Sequence, residues 1–122
     1  MTRSRAIEYL DHIFQAACRA RQYVEQHDRQ MFLADERTQQ AVILNLVIIG
    51  EAAARLIANH LDFVEQHDEI PWQRMRGMRN RLAHGYFDID LDMVWKTVQT
   101  DLTSLIDILP PIQVMLRDQH QA

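Results

Sequence analysis

Apolar residues recur at steps of three and four along most of the chain, which is the period of an α-helix. A first helix is predicted from Arg5 to about Gln26, where one face carries Ile7, Leu10, Ile13, Phe14, Ala17, Ala20 and Val24. A second is predicted from about Asp35, as its cap, to Ile57. Eight of the nine residues from Ala41 to Ile49 are apolar, so this helix needs cover on several sides, from the bundle or from a second subunit.

The second half of the chain predicts two further helices. Residues 58–69 are mostly polar and are read as a connection of unassigned structure. Pro71 suits the first position of a third helix that ends near His84 and Gly85; its buried stripe is Trp72, Met75, Met78 and Leu82. A fourth helix from about Asp90 to Leu109 should be closed by Pro110 and Pro111, and a short fifth turn or helix would use Ile112, Met115 and Leu116.

Composition supports an all-α domain spanning residues 1–122. Only three Gly and three Pro occur in 122 residues, which is too few for a protein with many turns. The expected architecture is a bundle of four to five helices. A single Cys indicates a reducing compartment, and the apolar run at 41–50 is shorter than the roughly 20 residues that cross a bilayer. We therefore expect a cytoplasmic protein with no membrane partner.

Charge is concentrated in one stretch, Ile70 to Phe87. This stretch contributes four arginines and no acid, whereas the whole chain carries a formal net charge of −4, so the remainder carries −8. A basic island on an acidic protein favours binding of an anion, most simply a phosphate, because the guanidinium fork fits phosphate oxygens. The alternative is a solvated helix face.

Helix geometry divides the basic stretch. At about 100° per residue, Arg76, Arg79, Asn80 and His84 fill one arc beside the apolar stripe. Arg74 and Arg81 fall on the far side, as solvent residues or distant phosphate contacts. Gly85 would let the chain turn after His84 and project Tyr86 outward.

An arc with Arg, His, Asn and Tyr, and no obvious metal ligands, suits cleavage of RNA without a metal or other cofactor. That reaction needs a base for the 2′-hydroxyl, a cation for the phosphate and an acid for the leaving oxygen. One histidine cannot easily serve as base and acid in the same step. A two-fold dimer through the apolar second helix would place two copies of Arg79 and His84 together.

Two further residues stand out on physical grounds. Glu51 lies in an otherwise apolar helix and needs a partner, for which an arginine of the basic arc is the natural candidate, with a structural or a catalytic role equally open. Gly77 is costly inside a helix, which suggests a tight helix contact there.

Residues 79–86, RNRLAHGY, resemble the R-x-x-x-x-H-x-Y motif of the HEPN superfamily, in the form carried by HepT toxins of bacterial and archaeal toxin–antitoxin pairs. The blocks NLVIIGEAAARL, IPWQRMRGMRN and HGYFDIDLDMVW resemble that family in the same order. The resemblance covers roughly Ile7 to Pro110.

This resemblance implies a dimerising HEPN-type bundle that acts as a metal-independent endoribonuclease toxin, with Arg79 and His84 catalytic. It also implies a partner, a minimal nucleotidyltransferase antitoxin (MntA-like), which transfers AMP to the motif tyrosine, here Tyr86, and can assemble with the toxin into a larger hetero-oligomer. Asn80 matches the Asn that often follows the motif Arg, and Asn45 and Glu51 belong to the second-helix block; with Arg76 they are the expected supporting residues.

A second function remains open at this point. A nuclease-inactive HEPN protein would keep dimerisation and would bind nucleotide or a partner protein. Growth arrest on expression, relieved by His84→Ala, would discriminate the two.

Overall fold

The computed structural model describes residues 2–121, with side chains from Arg5 to Gln119. Every regular element in that range is helical, which confirms the predicted all-α class. The helices are α1 (Thr2–Tyr23), α2 (Arg29–Leu33), α3 (Glu36–Asn59), α4 (Leu61–Gln66), α5 (Trp72–His84), α6 (Leu91–Lys96) and α7 (Leu102–Gln121). A 3₁₀ turn (Tyr86–Asp88) follows α5, and a π-helical segment (Thr97–Asp101) joins α6 to α7 without a break.

Helix α3 is central to the bundle, since it packs against both α1 and α5, while α1 also packs against α7. The largest fully buried side chains come from all parts of the fold: Leu10, Ile13, Phe32, Val42, Leu56, Ile70, Val94, Val98 and Leu109. By length and composition alone α3 would also suit a membrane span. Within the bundle, however, eight of its residues are buried, so α3 serves as the core helix.

The start of α3 lies where the sequence predicts it. The Asp35 carboxylate accepts a hydrogen bond from the Thr38 backbone N–H at 3.2 Å and from the Thr38 hydroxyl at 2.6 Å. These bonds, with His27 Nε2 at 2.9 Å, lower the pKa of Asp35 to about 2. The ionised carboxylate therefore caps the helix throughout the neutral range.

Two short helices were not predicted. Helix α2 is capped by Asp28 and buries Phe32, whose ring lies 5.4 Å from that of Trp95. Helix α4 occupies part of the stretch read as a connection, and it buries Val64. Each holds a single buried side chain, which is too little to produce a recognisable helical period.

The prediction that Pro110 and Pro111 end the fourth helix was wrong, because α7 continues through both to Gln121. Tertiary contacts offset the roughly 3 kcal/mol cost of an internal proline: Ile112 and Leu116 are buried, and the buried Gln113 side chain donates to Asp11 on α1 at 2.8 Å. The short helix predicted after the two prolines is therefore the second half of α7. Met115, which was predicted to be buried there, is exposed.

A glycine contact sets the spacing between α3 and α5. A Cβ at Gly50 would collide with Arg79 Cβ and lie 2.6 Å from the Met75 carbonyl oxygen. The tight contact was expected at Gly77, but that expectation was wrong, since a Cβ there meets nothing within 4 Å. Gly50, rather than Gly77, allows the close approach.

This difference predicts opposite effects for the same substitution at two helical glycines. Gly50→Ala should destabilise the fold by about 1–3 kcal/mol, because α5 must move away from α3. Gly77→Ala is the matched control and should stabilise it by roughly 0.5–1 kcal/mol through helix propensity. Urea unfolding of both variants measures the two changes; equal effects would contradict the packing described here.

Candidate functional site

Glu51 on α3 joins two arginines. Its Oε1 accepts a hydrogen bond from Arg79 Nη1 on α5 at 2.6 Å, and its Oε2 accepts one from Arg55 Nε at 3.0 Å. The prediction that Glu51 pairs with an arginine of the basic arc is therefore confirmed. Arg55 was missed, although its spacing of four residues from Glu51 is the pattern of an intrahelical ion pair.

The Glu51 carboxylate is held in its charged form by this arrangement. The hydrogen bond from Arg55, together with the positive charge of Arg79, lowers the pKa of Glu51 against the opposing effect of desolvation. Two guanidinium groups and one carboxylate leave this cluster with a net charge of +1. The cluster can therefore still attract a phosphate.

Arg79 is the most enclosed member of the cluster, with a quarter of its side chain exposed. Its Cβ faces Gly50, and its Nε is buried without a hydrogen-bond partner among the described residues. A buried donor left without a partner costs free energy. The fold therefore accepts a cost to hold this guanidinium beside α3.

The other residues of the arc are freer. Arg76 Nη2 donates to Gln73 Oε1 at 2.5 Å within the same helix. Asn80 and His84 are exposed, and in the described part of the chain neither side chain has a hydrogen-bonding partner. His84 is the last residue of α5, five positions after Arg79, and both of its ring nitrogens are available to a ligand.

Asn45 is not brought to this arc. It is 4% exposed and donates to the Ala41 carbonyl one turn earlier in α3 at 2.9 Å. Its Oδ1 is buried and finds no partner within the described residues. The structure thus places Asn45 in the core, whereas Asn80 and His84 of the arc are exposed.

The chain turns immediately after His84, as predicted. The Gly85 N–H donates to the Arg81 carbonyl at 2.9 Å, and the backbone of Gly85 stays outside the left-handed region. Tyr86 and Phe87 follow in the 3₁₀ turn, 62% and 86% exposed, with ring centroids 4.4 Å apart. Two adjacent exposed aromatic rings next to His84 form a surface suited to a partner.

An apolar strip on α3 lies beside the ion-pair cluster. The strip consists of Leu44, which is 59% exposed, and Ile48. Glu51 and Arg55 follow them on the same face of α3 at helical spacing. The bundle therefore covers α3 on most sides but leaves the side that carries Leu44 open to solvent.

Among the described side chains, no group of three or more His, Cys, Asp or Glu residues is placed to hold a metal ion.

These features define a helical domain of the HEPN type, with an arginine and a histidine on one helix followed by an exposed tyrosine. A model of the ribonuclease HepT-like family matches residues 13–112. The chain belongs to that family.

Relatives agree with this assignment. A Thermococcus cleftensis protein named "Probable ribonuclease HepT" is 43% identical over 98 residues, which cover 80% of this chain and 86% of that protein. Proteins of Methanocaldococcus jannaschii and Caldanaerobacter subterraneus, each named as a candidate RNase, are 37% and 32% identical over 97 residues, covering 80% of this chain and 86% and 84% of theirs. No solved structure matches significantly.

The lowered pKa of Glu51 predicts a pH-dependent stability difference. A carboxylate with a depressed folded pKa contributes stability above its ordinary pKa, and that contribution is lost as pH falls through the folded value. The difference in unfolding free energy between the wild type and Glu51→Gln should therefore be larger at neutral pH than at an acidic pH well below the ordinary carboxyl pKa. Urea titrations at both pH values measure it.

The exposed Glu65 provides a matched control. Glu65→Gln removes the same charge from a residue with no ion pair in the described structure, and should show little difference at either pH. A Glu51→Gln difference that stays constant with pH would contradict a stabilising ionised carboxylate.

Proposed function

We propose that this protein is the toxin of a toxin–antitoxin pair, an endoribonuclease that cleaves RNA without a metal ion or other cofactor. The observation that carries the proposal is the pairing on α5 of a fixed Arg79, held by Glu51 at 2.6 Å, with the exposed His84. Membership of the ribonuclease HepT-like family supports RNA as the substrate class. We place its action in the cytoplasm.

The proposed reaction is attack of a ribose 2′-hydroxyl on the adjacent phosphorus. A base removes the hydroxyl proton, the new O2′–P bond forms and the P–O5′ bond breaks, giving a 2′,3′-cyclic phosphate and a 5′-hydroxyl. His84, which is exposed and whose ring nitrogens have no hydrogen-bond partner among the described residues, is assigned as the base. Arg79 is assigned to the negative charge that builds on the phosphate oxygens. Arg76 and Asn80, on the same arc, contact the flanking strand.

The leaving 5′-oxygen must take up a proton, and a second histidine would supply it. A two-fold dimer formed through the α3 face that carries the exposed Leu44 and the half-buried Ile48 would bury that face and place the adjacent Arg79 near the interface. An isologous contact repeats each residue, so the site would hold two copies each of Arg79 and His84. A homodimer is therefore part of the proposal.

Mixing two inactive variants tests the shared site. Arg79→Ala and His84→Ala should each lower the cleavage rate by roughly 10²-fold or more. Co-refolded heterodimers keep one arginine and one histidine across the interface but lack the second histidine, so recovery should be partial, about tenfold above either homodimer. Fluorogenic RNA cleavage, with heterodimers isolated by two affinity tags, is the measurement. Fully active monomers, or isolated heterodimers without recovery, would contradict the shared site.

We further propose that a nucleotidyltransferase antitoxin silences the toxin by attaching AMP to Tyr86, and that the two proteins assemble into a hetero-oligomer. Tyr86 is 62% exposed and lies two positions after His84 in a short turn. An attached anionic nucleotide would occupy the neighbouring arginine arc and repel RNA.

Tyr86→Phe should cleave RNA at the wild-type rate and escape modification by the antitoxin and ATP. Intact-mass measurement after incubation would show AMP-sized increments on the wild type and none on the variant. Tyr23→Phe, at another exposed tyrosine, is the control and should still be modified. AMP-sized mass increments on Tyr86→Phe would show that another residue accepts the AMP group.

A nuclease-inactive binding protein is the remaining outcome. Expression without growth arrest, or arrest that His84→Ala does not relieve, would favour that alternative over the toxin.

A further inference from the structure

A cleft of about 540 Å³ lies on the side of α5 away from Glu51, between α3, α5 and the α6–π–α7 helix. Its volume is within the range of small-ligand sites. The floor is apolar and comes from three helices: Leu46, Ile49, Met75, Met78, Met93 and Leu105. Three methionines make such a floor adaptable to flat or irregular shapes, because the thioether chain is flexible and polarisable.

The cleft has a basic rim. Arg74, Arg81 and Lys96 line it together with one acid, Asp101. Arg74 Nη2 pairs with Asp101 Oδ2 at 3.1 Å, which leaves Arg81 and Lys96 with no acidic partner in the described part of the chain. An apolar floor beneath two unpaired cations is complementary to a ligand that has an apolar body and an anionic group.

A glycine inside a helix and a π-helical segment both line this cleft. Gly77 forms part of the α5 wall, where an added Cβ would meet nothing within 4 Å. Thr97, Thr100 and Asp101 of the π-helical segment form the facing wall. Glycine inside a helix and a π-helical turn both cost stability, and π turns occur frequently at functional sites. Packing does not require Gly77, so its effect is to leave space in the cleft.

The lining of the cleft on α5 reaches Arg81, about one helical turn before His84. Gly77, Arg81 and His84 are spaced four and three residues apart, so they share one stripe of α5. At a rise of 1.5 Å per residue, His84 lies about 4.5 Å along the axis from Arg81. A strand whose backbone passes His84 can therefore place a neighbouring phosphate at Arg81.

We propose that this cleft binds one unstacked nucleotide of the RNA strand, next to the bond that is cleaved. Its base lies on the methionine floor and its phosphate pairs with Arg81 and Lys96. The Thr97 and Thr100 hydroxyls donate to the Met93 and Lys96 carbonyl oxygens, so they act toward the base edge as hydrogen-bond acceptors. The proposal rests on the proposed function in taking RNA as the ligand. Sequence-specific RNA recognition commonly contacts single bases that are splayed out of the strand, so the cleft would set which base flanks the cleavage position.

Filling the cleft tests this directly. Gly77→Leu places a side chain in the open space, and Gly77→Ala is the matched control that adds only a methyl group. The probe is a fluorescein-labelled 2′-O-methyl RNA octamer of mixed sequence, which cannot undergo the 2′-hydroxyl reaction. By fluorescence anisotropy, Gly77→Leu should bind about tenfold more weakly, because one base is excluded from the cleft. Gly77→Ala should lose less binding than Gly77→Leu, because its methyl group takes up less of the cleft. Both should unfold at or above the wild-type temperature, because alanine and leucine favour helix.

The charged rim has its own test. Arg81→Gln should weaken probe binding and reduce the slope of log K against log salt by about 0.7, the value for one phosphate contact on a single strand. Arg37→Gln removes another exposed arginine, from the start of α3, and should leave the slope unchanged.

The outcomes separate the cleft from the nuclease. Probe binding that Gly77→Leu weakens supports the cleft even if the wild type cleaves no RNA. Cleavage and probe binding unaffected by Gly77→Leu would overturn the cleft and leave the nuclease standing. Tight binding of laurate that Gly77→Leu abolishes, without any effect on the RNA probe, would assign the cleft to an apolar carboxylate and also overturn it.

Discussion

The bridge from Glu51 to Arg55 and Arg79 depends on a glycine one residue earlier. Because Gly50 has no side chain, α5 can approach α3 until Arg79 Cβ touches the α3 backbone region. At that distance the Arg79 guanidinium reaches the carboxylate at 2.6 Å. The position of α5 in turn fixes where His84 and Tyr86 emerge, and the cleft on the opposite side of α5 has its width set by the same packing.

This arrangement gives the two proposed catalytic groups different properties. Arg79 is enclosed, partly neutralised and oriented, as a group that stabilises charge at one point should be. His84 lies exposed at the helix end, where it can exchange protons with solvent and approach a second copy of the protein. The exposed Tyr86 and Phe87 give a partner access to the same end of α5. Binding, proton transfer and silencing can thus share one helix terminus.

Much of this could be predicted from the sequence where a local rule decides. Asp35 is predictable as the cap of α3, because a short carboxylate just before a helix accepts hydrogen bonds from the first turn. Glu51 is predictable as an ion-pair partner, because a charged group on an otherwise apolar helix favours a cation nearby. Positions that are decided by tertiary contacts could not be predicted from the sequence alone. The role of Gly50 depends on which helix faces it, and the burial of Gln113 and Leu116 overrides the stop signal of Pro110 and Pro111. The unpartnered strip on α3 is in the structure, while the dimer it suggests stays a prediction.

The most direct test of the account is end-group analysis of RNA incubated with the purified protein in excess EDTA. The account predicts fragments with 2′,3′-cyclic phosphate and 5′-hydroxyl ends, formed by the wild type and reduced roughly 10²-fold or more by His84→Ala. Cleavage that EDTA abolishes, or that His84→Ala leaves intact, would contradict it.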